Sequence, residues 1–279
     1  MKALKLLRNK ILLRVRGSSA TPILKKIIPR RFREAAWNVV SSQDEFEVLG
    51  SWMYIPPESR SRDTVLNQYE PGVSACLKKI LKPGMVFCDV GANFGIFTLF
   101  ASKIVGPTGR VFAFEPVKSN RDVLERNIER NDARNVIVSE KAVSDSVGIA
   151  RIFLSRDAGC HSISSEPPNF NGNHIDVDVV RLDKIKEIDK IDVLKIDVEG
   201  AELEVLSGLG DLQVKYVILE FNGEMISRKG ISGPEFLEQL NKFGFESISN
   251  LDDPASGFED VTSGKDLTVN LLLSRSGND

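Results

Sequence analysis

The stretch Val86-Phe87-Cys88-Asp89-Val90-Gly91-Ala92-Asn93-Phe94-Gly95, followed twenty residues later by Glu115, decides the reading of this 279-residue chain. A short apolar run ends in Asp89. A turn flanked by Gly91 and Gly95 follows, and then Ile96, Leu99, Phe100 and Lys103 recur at helical intervals. Beyond the turn Gly106-Pro107-Thr108-Gly109, a second apolar run at 110–114 delivers Glu115. Strand, acid, turn, helix, strand, acid is the layout of an α/β site that holds a nucleoside. The second carboxylate accepts both ribose hydroxyls, because an ionised carboxylate has two acceptor oxygens.

The turn itself selects among nucleosides. A dinucleotide site uses Gly-x-Gly-x-x-Gly to grip a pyrophosphate at a helix N-terminus. Here Ala92, Asn93 and Phe94 separate the two glycines, and no lysine makes the turn a P-loop. Asp89 would repel a pyrophosphate and welcome a cation. S-adenosylmethionine carries a sulfonium and an α-ammonium and no phosphate, and is therefore the expected cofactor. Asp89 and Asn93 are assigned to its methionine end, Gly91 to the close backbone approach that this end requires, and Gly95 to the turn that seats it. A nicotinamide-dependent oxidoreductase is the enzymatic alternative, disfavoured by the missing middle glycine and by Asp89.

Outward from this unit the chain keeps alternating. A helix is expected at 72–82, stopped by Pro83-Gly84. Ser119-x-x-Asp122 resembles a capping box for a helix running to 130. A third strand is expected at 136–138, extending towards Ala142. Residues 149–154 and 175–182 read as an inserted hairpin, and 193–196 and 216–219 as further strands. Helices are expected at 201–206 and from Gly233-Pro234 to 243, and two closing strands at 245–248 and 267–273. The fold class is α/β: a doubly wound, Rossmann-like, mostly parallel sheet with an antiparallel C-terminal strand. Asp89, Glu115, Ala142, Asp197 and Glu220 all fall at or near carboxyl ends of strands, where such sheets bind ligands.

The chain resembles the FkbM-type S-adenosylmethionine-dependent methyltransferases. The resemblance is carried by Asp-Val-Gly-Ala-Asn-Phe-Gly at 89–95, Phe-Glu-Pro at 114–116 and Lys-Ala-Val-Ser-Asp at 141–145. Its most specific part is Leu-Lys-Ile-Asp-Val-Glu-Gly-Ala-Glu at 194–202. Tyr69-Glu70-Pro71 is similar to that family's lead-in, which adds Glu70 to the cofactor-binding set. The resemblance spans roughly residues 65–275 and implies a methyltransferase sheet, usually with O-methylation of a sugar, lipid-linked or secondary-metabolite acceptor. Lys141 and Ala142 are placed near the adenine.

Methyl transfer from a sulfonium needs alignment, removal of an alcohol proton and exclusion of water. Asp197 closes the fourth strand, where an acceptor should approach, and is expected to bind cofactor and to orient or deprotonate the acceptor. Lys195 alternates with it and could pair with it. His161, in the polar loop Gly-Cys-His-Ser-Ile-Ser-Ser, is the second catalytic candidate, since imidazole is a good base near neutral pH. The other histidine, His174 in Asn-Gly-Asn-His, reads as a turn residue. Asp197, Glu220 and Asn222 make an oxygen-rich set of the kind that holds Mg²⁺, but the first expectation is no metal. Pro167-Pro168-Asn169-Phe170 is in the wrong order and place for the motif of amino-group methyltransferases, which argues against base or glutamine N-methylation.

Charge divides the chain. Of 37 Lys+Arg and 39 Asp+Glu, residues 1–34 hold 11 bases and one acid, Glu34, leaving 26 bases and 38 acids for the rest. The expected organisation is a basic, partly helical extension at 1–63 and the catalytic domain at 64–279. Leu4, Leu7, Ile11 and Val15 recur at helical spacing among Lys and Arg, but the longest apolar run, Ile11-Leu12-Leu13, is far short of a membrane span. That arm could lie on an anionic membrane surface, contact an acidic partner, or pack against its own acidic body. A non-enzymatic module that binds an anionic surface is the remaining alternative. Nucleic acid is not expected, for want of basic–aromatic interleaving. Three widely spaced cysteines suggest a reducing cytoplasm, with peripheral membrane contact through the arm, and Cys88 reads as a core residue. The acceptor is expected to be a small molecule, glycan or lipid-linked compound.

Overall fold

The computed structural model describes residues 45–56, 59, 69–155, 161–162, 170–245, 247–255 and 268–275. The basic arm at 1–34, the linker at 18–21, the 63/64 boundary, Cys160 and the Pro-Pro at 167–168 lie outside the described residues. Among the described residues, no helix is long and apolar enough to cross a membrane.

The strands are β1 (Glu45–Val48), β2 (Ser51–Tyr54), β3 (Val86–Val90), β4 (Arg110–Phe114), β5 (Val136–Ser139), β6 (Ala142–Val143), β7 (Gly148–Ser155), β8 (Phe170–Val180), β9 (Ile191–Ile196), β10 (Val214–Asn222), β11 (Ser247–Asn250) and β12 (Thr268–Ser274). The helices are α1 (Pro71–Ile80), α2 (Ile96–Val105), α3 (Lys118–Arg130), α4 (Glu202–Ser207), α5 (Gly223–Arg228) and α6 (Gly233–Lys242). Seven strands form the central sheet in the order β11-β12-β10-β9-β3-β4-β5. The pairs β10–β9, β9–β3, β3–β4 and β4–β5 are parallel, and β12 runs antiparallel to both β10 and β11. The expected doubly wound sheet with its antiparallel ending is what the chain forms.

Every residue of β3 is buried, as a strand covered on both faces requires. Period-two alternation then divides the side chains between two layers. Cys88, Val90, Leu194 and Ile196 face Leu203, Leu206, Phe236 and Leu240 of α4 and α6. Phe87, Val193 and Ile218 face Val73, Leu77, Phe97 and Phe100 of α1 and α2. Asp89, Lys195 and Glu220 share the parity of this second set. The alternation therefore directs these polar groups towards the α1–α2 face, at the carboxyl ends of their strands.

Several details depart from expectation. Ala142–Val143 does not extend β5; it is a separate strand pairing in parallel with β8, in a small sheet ordered β6-β8-β7. The inserted hairpin is this β7–β8 pair, and β8 begins early enough that His174 is an exposed strand residue opposite Phe153, not a turn residue. The capping box at Ser119 does not form: α3 starts at Lys118 after Val117, with no side-chain cap, so Ser119 already lies inside the helix, and the Asp122 carboxylate accepts from Lys118 Nζ instead. Helix α5 was not anticipated; Asn222 caps it by accepting from the Met225 N–H.

The β1–β2 hairpin, assigned by sequence to the extension, packs on α2 and α3. Met53 and Ile55 join Phe94, Ile96 and Leu99 in one apolar cluster. Asn127 accepts from the Tyr54 N–H and donates to the Tyr54 and Phe94 carbonyls, while Asn131 exchanges both backbone bonds of Trp52. Two amides thus reproduce a strand's hydrogen-bonding edge on a helix.

Candidate active site

At the carboxyl edge of β3, β4 and β9 lies a cleft of about 620 Å³, lined by Gly91, Asn93, Glu115, Ala142, His161 and Asp197 among others. A second, smaller pocket of about 300 Å³ adjoins it, lined by Tyr69, Asp89, Phe97 and Lys195 and sharing Gly91, Asn93 and Asp197. Glu199 lines the larger cleft. Of the residues assigned from sequence, Glu70, Gly95 and Lys141 are not part of either lining; Lys141 is exposed, and its backbone N–H donates to Ser139 Oγ. Ala142 is in place without it.

The turn is built by close approach. Gly91 has φ +84°, and a Cβ there would lie 1.8 Å from the Asp197 carbonyl oxygen. Gly95 has φ +85°, and its Cβ would strike Leu124 Cδ1 at 2.4 Å. The left-handed φ demands glycine at both positions, and at Gly91 the neighbouring backbone also leaves no room for a Cβ. Gly91→Ala is expected to cost about 2–5 kcal/mol from overpacking and left-handed strain, lowering the melting temperature by roughly 5–15 °C. A wild-type melting curve for that variant would refute the tight packing of β3 against β9.

Glu115, 5% exposed, is fixed by two backbone donors: Asn93 N–H reaches Oε2 at 2.8 Å and Val117 N–H reaches Oε1 at 2.9 Å. Burial lifts its pKa to about 7, against the opposing pull of those two N–H groups and Arg121. Each oxygen keeps a lone pair for a ligand hydroxyl. Asn93 itself sits at φ +50°, and its Oδ1 is buried with no hydrogen-bond partner. An orphaned buried acceptor beside the cleft calls for a donor that a ligand would bring.

Asp89, 1% exposed, accepts from Thr98 Oγ1 at 2.6 Å and lies in register with Lys195 on the neighbouring strand. Burial raises its pKa, while Lys195 and Thr98 oppose the shift. Lys195, 3% exposed, places Nζ 2.8 Å from Asp197 Oδ2 and 5.2 Å from the centre of the Phe97 ring. Burial alone would lower its pKa, but Asp197, Glu70 and Asp89 together hold it above its ordinary value. Glu70 occupies a left-handed conformation, φ 36°, just before α1. Burial, partly offset by Lys195, lifts its carboxyl to about 7.

His161 takes a role that sequence did not foresee. Its Nδ1 accepts from the Ser155 N–H at 3.0 Å, and burial lowers its pKa. The neutral ring therefore has its proton on Nε2 and its single lone pair already committed. It can donate into the cleft; it is not placed to take a proton. Glu199 is the group that sequence reading passed over. It lines the cleft, and Asn222 Nδ2 donates to its Oε2 at 3.0 Å. Its position two residues after Asp197, in the most specific motif of the chain, was the available signal.

Fold and site together define a Rossmann-like nucleoside-binding α/β protein with the sheet order of a methyltransferase. Residues 89–247 match the Methyltransferase FkbM domain, and the chain belongs to that family. It is 32% identical over 155 residues to "Methyltransferase sdnD" of Sordaria araneosa, covering 44% of this chain and 60% of that one. It is 30% identical over 213 residues to "31-O-demethyl-FK506 methyltransferase FkbM" of Streptomyces tacrolimicus, covering 64% and 79%. It is 32% identical over 149 residues to "Hexuronic acid methyltransferase AglP" of Haloferax volcanii, covering 49% and 56%. The match spans less than two thirds of two of these three relatives.

Family membership makes S-adenosylmethionine the cofactor, and the residues present fit it. Glu115 would take the ribose diol, and Asn93 Oδ1 would accept from the donor's ammonium. The uncapped N-terminus of α2 would face its carboxylate. The acids around Lys195 supply the negative field that a sulfonium favours.

Proposed function

We propose that the chain is an S-adenosylmethionine-dependent O-methyltransferase acting on a hydroxyl of a sugar, a lipid-linked glycan or a secondary metabolite, with residues 64–279 as the catalytic unit. The observation that carries this reading is the position of Asp197. It closes β9, lines both the cleft and the adjoining pocket, and is steered by Lys195. In this reading the acceptor oxygen attacks the methyl carbon while the carbon–sulfur bond breaks. The electron pair of that bond stays on sulfur, giving S-adenosylhomocysteine, and the hydroxyl proton passes to Asp197. Relatives named for a hexuronic acid and for a 31-O-demethyl substrate support an oxygen acceptor.

Incubation with methyl-labelled donor and panels of glycans, lipid-linked sugars and polyketides, read by mass spectrometry, tests the proposal. A labelled methyl ether or ester supports it; label on nitrogen or carbon alone refutes the O-methylation. His161→Gln is expected to change turnover by less than about tenfold, because a committed Nδ1 contributes no general-base term. A loss of a hundredfold or more would return the base role to His161.

A further inference from the structure

We propose that the free edge of β5 is the surface through which two copies of this chain associate, pairing antiparallel about a twofold axis at Ile137 and joining their central sheets into one. β5 is the last strand of its sheet, and among the described residues β4 is its only strand partner. The ladder to β4 decides which backbone groups are left over. The Asn135 and Ser139 carbonyls accept from the Val111 and Glu115 N–H groups. Residues 135, 137 and 139 therefore turn their backbone groups inward, while Val136 and Val138 turn theirs outward. The Val136 N–H makes only a 3.3 Å turn bond to the Ala133 carbonyl. Native edge strands are guarded by charges, proline or bulges. Val136-Ile137-Val138-Ser139 has no charge and no proline, and its register with β4 is unbroken. Ile137 is 47% exposed. A groove of about 1430 Å³, lined by Pro107, Asn131, Ala133 and Ile137 among others, leaves the approach to it open.

A second copy is the partner because the edge is complementary to itself. With Ile137 opposite its own counterpart, Val136 faces the partner's Val138, and these two residues exchange both of their outward hydrogen bonds. The two Ile137 side chains then meet across a non-hydrogen-bonded pair, the closer kind, with about 4.5 Å between Cα atoms. The same register sets Arg134 opposite the partner's Glu140 on each side of the axis. Both side chains are exposed. Each already has a partner in its own chain, Asp132 on Arg134 Nε and Arg121 on Glu140 Oε2, which leaves the terminal guanidinium nitrogens and Oε1 to reach across. The neighbouring registers lack this match. An axis at Val136 would oppose Asp132 to the partner's Glu140, two like charges, and an axis at Val138 would set Glu140 against the partner's Val136. Such a closed, isologous contact is the commonest way for identical chains to pair.

Sedimentation velocity of the full chain between about 1 and 300 µM tests the proposal, since so short a contact gives a weak dimer. The sedimenting mass is expected to rise with concentration from that of one 30.9 kDa chain towards that of two. Ile137→Lys is expected to abolish the rise, because it sets two ammonium groups against each other on the axis. Arg134→Glu and Glu140→Arg are each expected to weaken association about threefold or more, and the two together to restore it to within about twofold of wild type. All these changes are to exposed side chains, so a melting temperature within about 3 °C of wild type reports that each variant is folded. A chain that stays monomeric over the whole range would overturn the proposal. Self-association that Ile137→Lys leaves unchanged would also overturn it, since the contact would then lie on another surface. A double exchange no better than either single one would overturn the register.

Discussion

Asp197→Asn is expected to lower turnover by about 10²–10⁴-fold, the usual worth of a positioned general base, while leaving S-adenosylhomocysteine affinity within a few-fold of wild type. The substitution is nearly isosteric, and its amide oxygen still accepts from Lys195 Nζ, which at 3% exposure cannot lose its partner cheaply. The backbone N–H of residue 197 continues to donate to the Val90 carbonyl, so β9 stays in register beside β3. What disappears is an acceptor for the hydroxyl proton. Asp197→Ala would confuse the result, because it strands a buried ammonium. The measurement is single-turnover methyl transfer alongside calorimetric affinity. Undiminished turnover in Asp197→Asn would remove the carboxylate from the chemistry.

Glu115→Ala is expected to weaken S-adenosylmethionine and S-adenosylhomocysteine by about 30-fold or more, from two lost hydrogen bonds to a charged acceptor. It should also destabilise the free protein, since the Asn93 and Val117 N–H groups lose their buried acceptor. Glu115→Gln separates the two effects by keeping an acceptor oxygen without the charge. Donor affinity should carry a pH signature. The Glu115 pKa is raised to about 7, so below that pH the carboxyl is largely protonated. Ribose hydroxyls donate to the ionised form, so the ligand favours deprotonation and binding should tighten as pH rises from 6 to 8. In Glu115→Gln that trend should flatten. Tighter binding at the lower pH would contradict the assignment.

The fold was legible because its signals are local. β3, α2 and β4 are an apolar run, a glycine turn and a second apolar run, and both glycines hold a left-handed φ that other residues rarely adopt. The carboxylates at strand ends were legible for the same reason, as period-two alternation places Asp89, Lys195 and Glu220 on one face. What depended on distant partners was not. The Ser119 box failed because the helix already begins at Lys118 and Asp122 pairs with the Lys118 ammonium. His161 looked like a base until the Ser155 N–H claimed its lone pair. Nothing near Asn127 or Asn131 announces that they clasp Tyr54 and Trp52, more than seventy residues away. The grouping of Glu199 with Glu220 depends on β10 lying beside β9, which is a matter of topology and not of spacing.

The central claim is that the edge formed by β3, β4 and β9 receives S-adenosylmethionine through acidic side chains. A crystal structure of the full chain grown with S-adenosylhomocysteine tests it most directly. The account predicts density in the cleft with both ribose hydroxyls on Glu115 and the methionine chain passing Gly91 towards Asn93. Density seated elsewhere, or none at saturating ligand, would contradict it.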